Sequence, residues 1–291
     1  MNAAAPSLPL PSAARRLRRP LPGFGLSLGI GLLWLCVIVL LPLAALTFNA
    51  ATLGADAWLR ALQDDRVQAA LKLSFGTAFV AALGASLAGT LIAWVLVRYR
   101  FPGRRLLDAI VDLPFALPTA VAGIALTAIY SQNGWVGRLL EPYGIKIAYT
   151  STGIVIALVF IGLPFAVRTL QPVLEALGHE QEEAAISLGA SRFTTLRRVI
   201  LPELLPALFT GFSLAFARGL GEYGSVIFIA GNKPYSTEIA PLLITIRLEE
   251  YDYGGAIAIA ALLLAASFLC LLAINTIPSL FAHERRGNKR G

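Results

Sequence analysis

Six apolar segments alternate with more polar connections along the chain. They cover residues 26–48, 71–97, 106–130, 152–167, 207–230 and 255–277. A helix of about 20 mostly apolar residues crosses a bilayer, and in lipid each span must satisfy its own backbone hydrogen bonds. The pattern therefore predicts an all-α integral membrane protein with six transmembrane helices, in a transmembrane domain over 26–277.

Composition supports a lipid environment for this domain. Of the 291 residues, 57% are hydrophobic and 14% are charged, whereas a soluble domain carries roughly a quarter charged residues. The two cysteines, Cys36 and Cys270, lie in apolar segments without metal-binding spacing, so we interpret both as small apolar side chains. The first apolar segment exceeds the roughly 7–15 residues of a signal-peptide core and predicts an uncleaved span.

Lys and Arg residues predict the orientation in the membrane. Sixteen of them fall in one alternate set of connections and six in the other, with Lys72 and Arg218 inside spans. The richer set is cytoplasmic by the positive-inside rule, which places both termini in the cytoplasm of a bacterial inner-membrane protein. Residues 1–25 are then a disordered basic cytoplasmic tail, and 278–291 a second basic tail. The net charge of +7 is spread over short clusters, which favours membrane lipid over nucleic acid as partner.

The connection 168–206 is the one sizeable inner connection. Glu183 opens a Glu-Ala-Ala sequence in a helix-forming stretch, and Gly189 follows where a positive φ would end that helix. Ser191 is a candidate N-cap for a second short helix, and Pro202 is expected to limit it. Two short helices joined at a glycine would form a knuckle able to transmit a push to the adjoining spans. The alternative is a solvated amphipathic connection.

This connection resembles the EAA loop of type I ATP-binding-cassette (ABC) importer permeases. The resemblance implies a MetI-like fold, with a core over about 70–275 and a coupling segment that docks on a cytoplasmic ATPase. The implied coupling residues are Glu183, Ala184, Ala185, Gly189, Val199, Leu201 and Pro202. Val199 stands where that pattern usually has isoleucine. Segments 98–104, 112–123 and 219–224 resemble the T subunits of sulfate/thiosulfate permeases, and related molybdate permeases share the last of these patterns.

The resemblance also implies the partners. These are a second permease subunit of the W type (a homodimer is not excluded), two copies of the ATPase and a periplasmic sulfate/thiosulfate-binding protein. This chain has no Gly-x-x-x-x-Gly-Lys-Ser/Thr loop for nucleotide. We therefore expect it to be no enzyme and to bind no cofactor, because the partner ATPase uses the ATP and Mg²⁺. Transport would proceed by alternating access.

Rare polar features inside the spans are candidates for the anion pathway. Arg218 and Glu222 are four residues apart and share one helix face. They either line an anion route or form a buried structural ion pair. Pro114 and Pro118 either open the third span toward a substrate cavity or kink it. The predicted pathway set is Arg218, Glu222, Gly219, Gly221, Pro114, Pro118 and Thr119.

Further alternatives concern the substrate, the class of transporter and the partners of two carboxylates. A molybdate or tungstate permease is the nearest alternative substrate assignment. A secondary anion transporter driven by an ion gradient is the alternative in class, and the EAA-type connection argues against it because such a carrier has no ATPase to receive it. Asp108 and Asp112 at the start of the third span are expected either to contact the basic cluster 98–105 or to form an interfacial charge pair.

Overall fold

The structure, a computed structural model, describes the backbone of residues 23–287 and the side chains of residues 23–276. Within 23–287 all regular elements are helices. The predicted tails lie outside this range over 1–22 and 288–291. The chain divides into two compact units, one ending at Ala51 and one beginning at Thr52. The first unit contains most of helix α1, and the second contains every other helix.

The helices have the following bounds. They are α1 (Phe24–Thr52), α2 (Ala55–Gln63), α3 (Asp65–Arg98), α4 (Arg104–Val111), α5 (Leu113–Ala116), α6 (Thr119–Tyr130), α7 (Trp135–Leu140), α8 (Ser151–Leu177), α9 (Glu180–Ser187), α10 (Arg192–Leu220), α11 (Val226–Ile229), α12 (Ala240–Glu249) and α13 (Tyr253–Gly287). Five of them, α1, α3, α8, α10 and α13, are long and apolar enough to cross a membrane.

The third predicted span is broken into three short helices. Pro114 lies in the first turn of α5, where its missing N–H costs nothing. Leu117 is then extended and Pro118 precedes α6, since the residue before a proline is driven away from helical ψ. Of the two alternatives for the third span, the structure shows a break rather than a kink. Among the described residues five helices, and not the predicted six, are each long and apolar enough to cross a membrane.

Long helices extend into both ends of the predicted connection 168–206. Helix α8 continues through Pro172 and ends at Leu177, and α10 begins at Arg192. The segment between these two long helices is therefore residues 178–191. The prediction that Pro202 limits the second short helix is wrong, because that helix runs on into the fifth span. The predicted end of the fifth span at residue 230 is also wrong, because α10 ends at Leu220.

Helices α3, α8 and α10 form the packed core of the second unit. Small residues on α3, among them Ala81, Ala82 and Ala85, are fully buried against α8 and α10. In lipid, helices associate by close van der Waals contact rather than by a hydrophobic driving force, and small side chains allow that contact. A second cluster, which includes Leu96 and Leu174, packs the end of α3 that leads to Arg98.

Ion pairs bind the opposite end of α3 to later parts of the chain. Arg66 donates to both carboxylate oxygens of Glu238, at 2.8 and 2.7 Å, and Glu238 is almost fully buried. Arg247 at the end of α12 pairs with Asp64 at 2.9 Å. A bidentate arginine–carboxylate pair is geometrically specific as well as strong. These contacts fix the 233–253 connection relative to the start of α3.

Candidate functional site

Helix α9 ends in a Schellman motif at Gly189. The N–H of Gly189 donates to the carbonyl of Ile186 at 2.9 Å, and the N–H of Ala190 donates to that of Ala185 at 3.0 Å. Gly189 has φ +83°, a conformation that costs an L-residue with a Cβ about 1–2 kcal/mol. No atom lies within 4 Å of where a Cβ would stand. Glycine is therefore required here by backbone conformation and not by space.

The turn after α9 leads directly into the fifth span. The hydroxyl of Ser191 accepts a hydrogen bond from the backbone N–H of Thr194 at 3.2 Å, which confirms the predicted N-cap. Residues Leu196–Ile200 form one π-helical turn, and the N–H of Leu201 bonds the carbonyl of Leu196. Pro202 then occupies the first turn of the α-helical stretch, where an N–H is dispensable. Val199 lies half-buried inside the π turn.

The surface of the segment 178–191 combines acid and apolar groups. Glu183 and Ala184 are exposed, and Ala185 is half-buried. Leu188 is 90% exposed, and Phe193 just beyond the turn is 70% exposed. Large apolar side chains displayed on a connection outside the spans are typical of a protein–protein contact. We call Glu183, Ile186, Leu188 and Phe193 the knuckle surface.

Arg98, the last residue of α3, reaches into the segment 178–191. Its guanidinium lies 2.5 Å from a carboxylate oxygen of Glu182 and donates to the carbonyl of Gly178 at 2.8 Å. It also lies 3.2 Å from Nδ1 of His179. Its central carbon stands 5.5 Å from the ring centre of Trp94. One side chain thus joins the end of the second span to the start of α9.

A polar site lies where the fifth span ends. Nη1 of Arg218 is 2.5 Å from Oε2 of Glu222. The other oxygen of Glu222 accepts hydrogen bonds from the N–H and hydroxyl of Ser225, at 2.8 and 3.0 Å. The Glu222 side chain is 2% exposed, whereas that of Arg218 is 33% exposed. The carboxylate is fully used inside the protein, and the arginine keeps an accessible face.

The broken third span packs closely on this site. A Cβ at Gly123 would collide with the backbone of Ser225, and a Cβ at Gly224 would collide with the hydroxyl of Thr119. The first turn of α6 and the turn 221–225 therefore touch through glycine. Two discontinuous segments meet at one point, an arrangement that transporters use to place polar groups and free backbone within a membrane domain.

Arg168 on α8 receives the two carboxylates at the start of the third span. It binds Asp112 through two nitrogens, at 2.8 Å from Nε and 2.5 Å from Nη2. Its Nη1 lies 2.6 Å from Asp108. Of the two alternatives for Asp108 and Asp112, contact with the basic cluster 98–105 is wrong, and a charge pair forms, with Arg168 as the partner. The planar guanidinium of Arg168 offers the fork geometry that suits a carboxylate.

Comparison with known proteins identifies the family. Residues 83–282 match the family described as "Binding-protein-dependent transport system inner membrane component". The chain belongs to this family. It is 52% identical over 271 residues to the sulfate transport system permease protein CysT of Salmonella typhimurium, covering 93% of this chain and 98% of that protein. It is 48% identical over 275 residues to the protein of the same name from Synechocystis, covering 93% and 96%.

Solved structures support the same fold. A bacterial ABC transporter involved in the import of the acidic polysaccharide alginate superposes with a TM-score of 0.71 at 16% identity, covering 87% of this permease and 93% of that chain. The MetNI methionine ABC transporter in an inward-facing conformation gives a TM-score of 0.53 at 19% identity, covering 72% and 92%. The predicted resemblance to type I ABC importer permeases is thereby confirmed, as is a multi-pass membrane protein.

The structure brings some of the predicted pathway residues together. Thr119 and Glu222 lie at or beside the contact of α6 with the turn 221–225, whereas Gly219 packs against Ala78 of α3. Gly221 is exposed, and no atom lies within 4 Å of the position that a Cβ would take there. Pro114 and Pro118 flank the break in the third span. Their roles in transport stay predictions.

Three contact residues escaped the sequence analysis. Ser225 follows Glu222 by three residues, a spacing at which a carboxylate can hold an N-terminal amide, and this signal was available. Gly123 had no such signal, because its partner is a distant backbone. The link from Arg98 to Glu182 spans more than eighty positions, and in the sequence Arg98 is only one of four arginines in its cluster.

Proposed function

We propose that this chain is the membrane-spanning permease subunit of an ATP-driven ABC importer that moves sulfate, and thiosulfate with it, across the inner membrane. The observation that carries the proposal is 52% identity over nearly the full length of proteins named sulfate transport system permease. The match covers 93% of this chain and 98% of the relative, so it is not confined to one segment. These similarities do not favour a molybdate permease or an ion-driven carrier.

ATP hydrolysis is assigned to a separate cytoplasmic ATPase, present in two copies, that docks on the knuckle surface. The exposed Leu188 and Phe193 supply apolar contact area, and Glu183 supplies charge beside them. The Schellman turn at Gly189 and the cap at Ser191 make a stiff elbow between α9 and α10. Because α10 is continuous from Arg192 to Leu220, a displacement of the elbow acts directly on the fifth span.

The family supports the proposal for the remaining subunits of the transporter. The proposal includes a periplasmic sulfate/thiosulfate-binding protein, and one similar solved transporter is described in complex with a substrate-bound periplasmic protein. It also includes a second, W-type permease chain and alternating access between outward and inward states. Counting α4 to α6 as one broken crossing gives six crossings with both termini cytoplasmic, in agreement with the distribution of Lys and Arg.

Arg218 is the residue we assign to the anion pathway. Its side chain is one-third exposed while its counter-ion Glu222 is buried and held by Ser225. A fixed, partly neutralised guanidinium attracts a dianion without holding it so strongly that release fails. The packing of α6 against the turn 221–225 brings the broken third span to the same place.

Uptake in cells tests the proposal. The gene for this chain is deleted in its host, and growth with sulfate as sole sulfur source is measured with and without the gene on a plasmid. Sulfate and thiosulfate uptake that depend on this chain are the expected result. Undiminished sulfate uptake with loss of molybdate or tungstate uptake would instead assign the chain to those oxyanions.

A further inference from the structure

Helix α9 is held between two glycine joints. Gly178 precedes it with φ +60° and Gly189 follows it with φ +83°. Neither glycine has an atom within 4 Å of the position of a Cβ, but the turn at Gly189 is held by backbone hydrogen bonds. The joint at Gly178 therefore leaves the direction of α9 relative to α8 to be set by side-chain contacts. The question is which contacts fix α9 against the spans.

Arg98 supplies such a contact from the second span. Its side chain is only 7% exposed, and that of Glu182 is 20% exposed. Among the residues that the structure describes, no other hydrogen bond or ion pair joins α3 to α9. Since arginine has donors only, Nδ1 of His179 must be the acceptor of their contact, and the carbonyl of Gly178 accepts as well. The guanidinium thus contacts Gly178, His179 and Glu182, which lie at and just after the joint at Gly178.

The surroundings of Arg98 differ from those of a charge in open solvent. The aromatic ring of Trp94, one turn earlier on α3, lies beneath the guanidinium, a favourable arrangement for a cation. The adjacent Leu96 is buried in the cluster that packs α3 on α8 and α10. A largely buried ion pair is strongly perturbed when one partner is removed, because the other charge stays buried and unpaired.

We propose that Arg98 is a positioning residue for energy coupling. It clamps Glu182 and thereby fixes α9 to the end of the second span. A push on the knuckle surface then moves α3 through Arg98 at the same time as it moves α10 through the Gly189 elbow. Without the clamp, α9 turns about Gly178 and part of the stroke is lost. The inference rests on the proposed function, since it assumes that the ATPase acts on α9.

The test uses the whole complex of both permease chains, the ATPase and the binding protein, purified and reconstituted in liposomes. Labelled sulfate taken up and ATP hydrolysed are measured together, and their ratio is the readout. In Glu182→Gln and Arg98→Gln we expect the ratio to fall about fivefold or more, the low end of typical coupling between sites, while ATP hydrolysis continues. Arg98→Lys keeps the positive charge but loses the planar guanidinium. Its sulfate-to-ATP ratio should lie between those of the two glutamine variants and that of the parent.

Arg100→Gln is the matched control. Arg100 is exposed and two residues further on, so the same charge is removed from the same connection without touching the clamp, and the parental ratio is expected. The double variant of Arg98→Gln and Glu182→Gln should be no worse than Arg98→Gln alone, because both changes remove one interaction. If the reductions of the sulfate-to-ATP ratio in the two single variants multiplied in the double variant, the clamp would be overturned.

Glu182→Gln keeps the inference falsifiable if Arg98→Gln fails to assemble. Its side chain is partly exposed and glutamine has nearly the same shape as glutamate, so the complex should form although the charge that pairs with Arg98 is lost. A parental ratio of sulfate to ATP in Glu182→Gln would overturn the role of Arg98. If the parental complex takes up no sulfate with ATP, the proposed function is overturned, and this inference with it. If the parental complex is active and the variants match it, only the inference is overturned.

Discussion

Glu222 holds the backbone of Ser225 with one carboxylate oxygen, which accepts both the N–H at 2.8 Å and the hydroxyl at 3.0 Å. The second oxygen faces Arg218. The chain leaves the fifth span at Leu220 and turns into α11 at Val226, so this carboxylate determines the shape of that turn. Both hypotheses drawn from the sequence apply in part, because the pair is structural on the Glu222 side and accessible on the Arg218 side.

Glu222→Ala should destabilise the protein. It leaves Ser225 without its acceptor and Arg218 without its counter-ion, and loss of one partner of a buried pair costs about 3–5 kcal/mol. The lower figure is expected because Arg218 retains access to water. Thermal unfolding of the detergent-solubilised complex measures the change. Glu222→Gln is the control, since its amide oxygen can still accept from Ser225, and it should lose less stability than Glu222→Ala.

Arg218→Lys should retain sulfate uptake at a reduced rate, whereas Arg218→Ala should lose most of it. A lysine keeps the positive charge but offers no planar fork. Initial rates of labelled sulfate uptake are compared at equal membrane levels of the two variants. Normal uptake in both would remove Arg218 from the pathway and leave it only a structural role.

Gly123→Ala and Gly224→Ala should each destabilise the second unit by about 1–3 kcal/mol, the usual cost of forcing extra volume into a packed contact. The added methyl group would meet the Ser225 backbone in one case and the Thr119 hydroxyl in the other. Gly76→Ala is the matched control, because Gly76 lies in α3 with open space around it. That control should be neutral or slightly stabilising, as alanine favours helix. Equal stability of all three variants would contradict the close contact of α6 with the turn 221–225.

Substitutions at Gly189 should be graded by backbone conformation. Gly189→Asn should retain most sulfate uptake, since asparagine tolerates a positive φ. Gly189→Ala should reduce uptake, and Gly189→Val should abolish it, because a β-branched residue is a severe outlier there. The open space around the site removes side-chain size as the cause. Uptake and co-purification of the ATPase are measured together. Equal uptake by the asparagine and valine variants would refute the Schellman elbow as a functional element.

Glu183→Lys should uncouple the permease from its ATPase without changing its stability. Glu183 is exposed and has no ion pair with another described side chain, so its reversal alters only the knuckle surface. Glu175→Lys, an exposed glutamate near the end of α8, is the control and should transport normally. The decisive quantities are the amount of ATPase that co-purifies and the melting temperature. A lysine variant at 183 that retains full assembly and uptake would exclude this residue from the docking contact.

The sequence predicts the spans because lipid allows few solutions. Length and hydropathy located the five long apolar helices of the described residues, and a break at Pro114 and Pro118 was one of the two alternatives for the third span. The Schellman glycine and the Ser191 cap were also predictable, because each depends on residues within one turn of itself. Backbone features that depend on residues within one helical turn can be predicted from a single sequence.

Features that depend on distant contacts were missed. Pro202 suggested a helix end, but a π turn over Leu196–Ile200 absorbs the irregularity and α10 continues. The partner of Asp112 is Arg168, on a helix more than fifty residues away, rather than the arginines close by in sequence. The sequence treated Arg98 only as one member of its basic cluster, since nothing local distinguishes it from Arg100. Such pairings are decided by how α3, α8 and α10 pack.

The central claim is that a separate ATPase drives sulfate through this chain by acting on the segment 178–191. Its most direct test is uptake of labelled sulfate into liposomes that contain the purified complex, compared with liposomes that contain this chain alone under an imposed proton or sodium gradient. The account predicts uptake only with the complex, ATP and the binding protein, and its loss in Glu183→Lys. Sulfate accumulation by this chain alone, driven by an ion gradient, would contradict it.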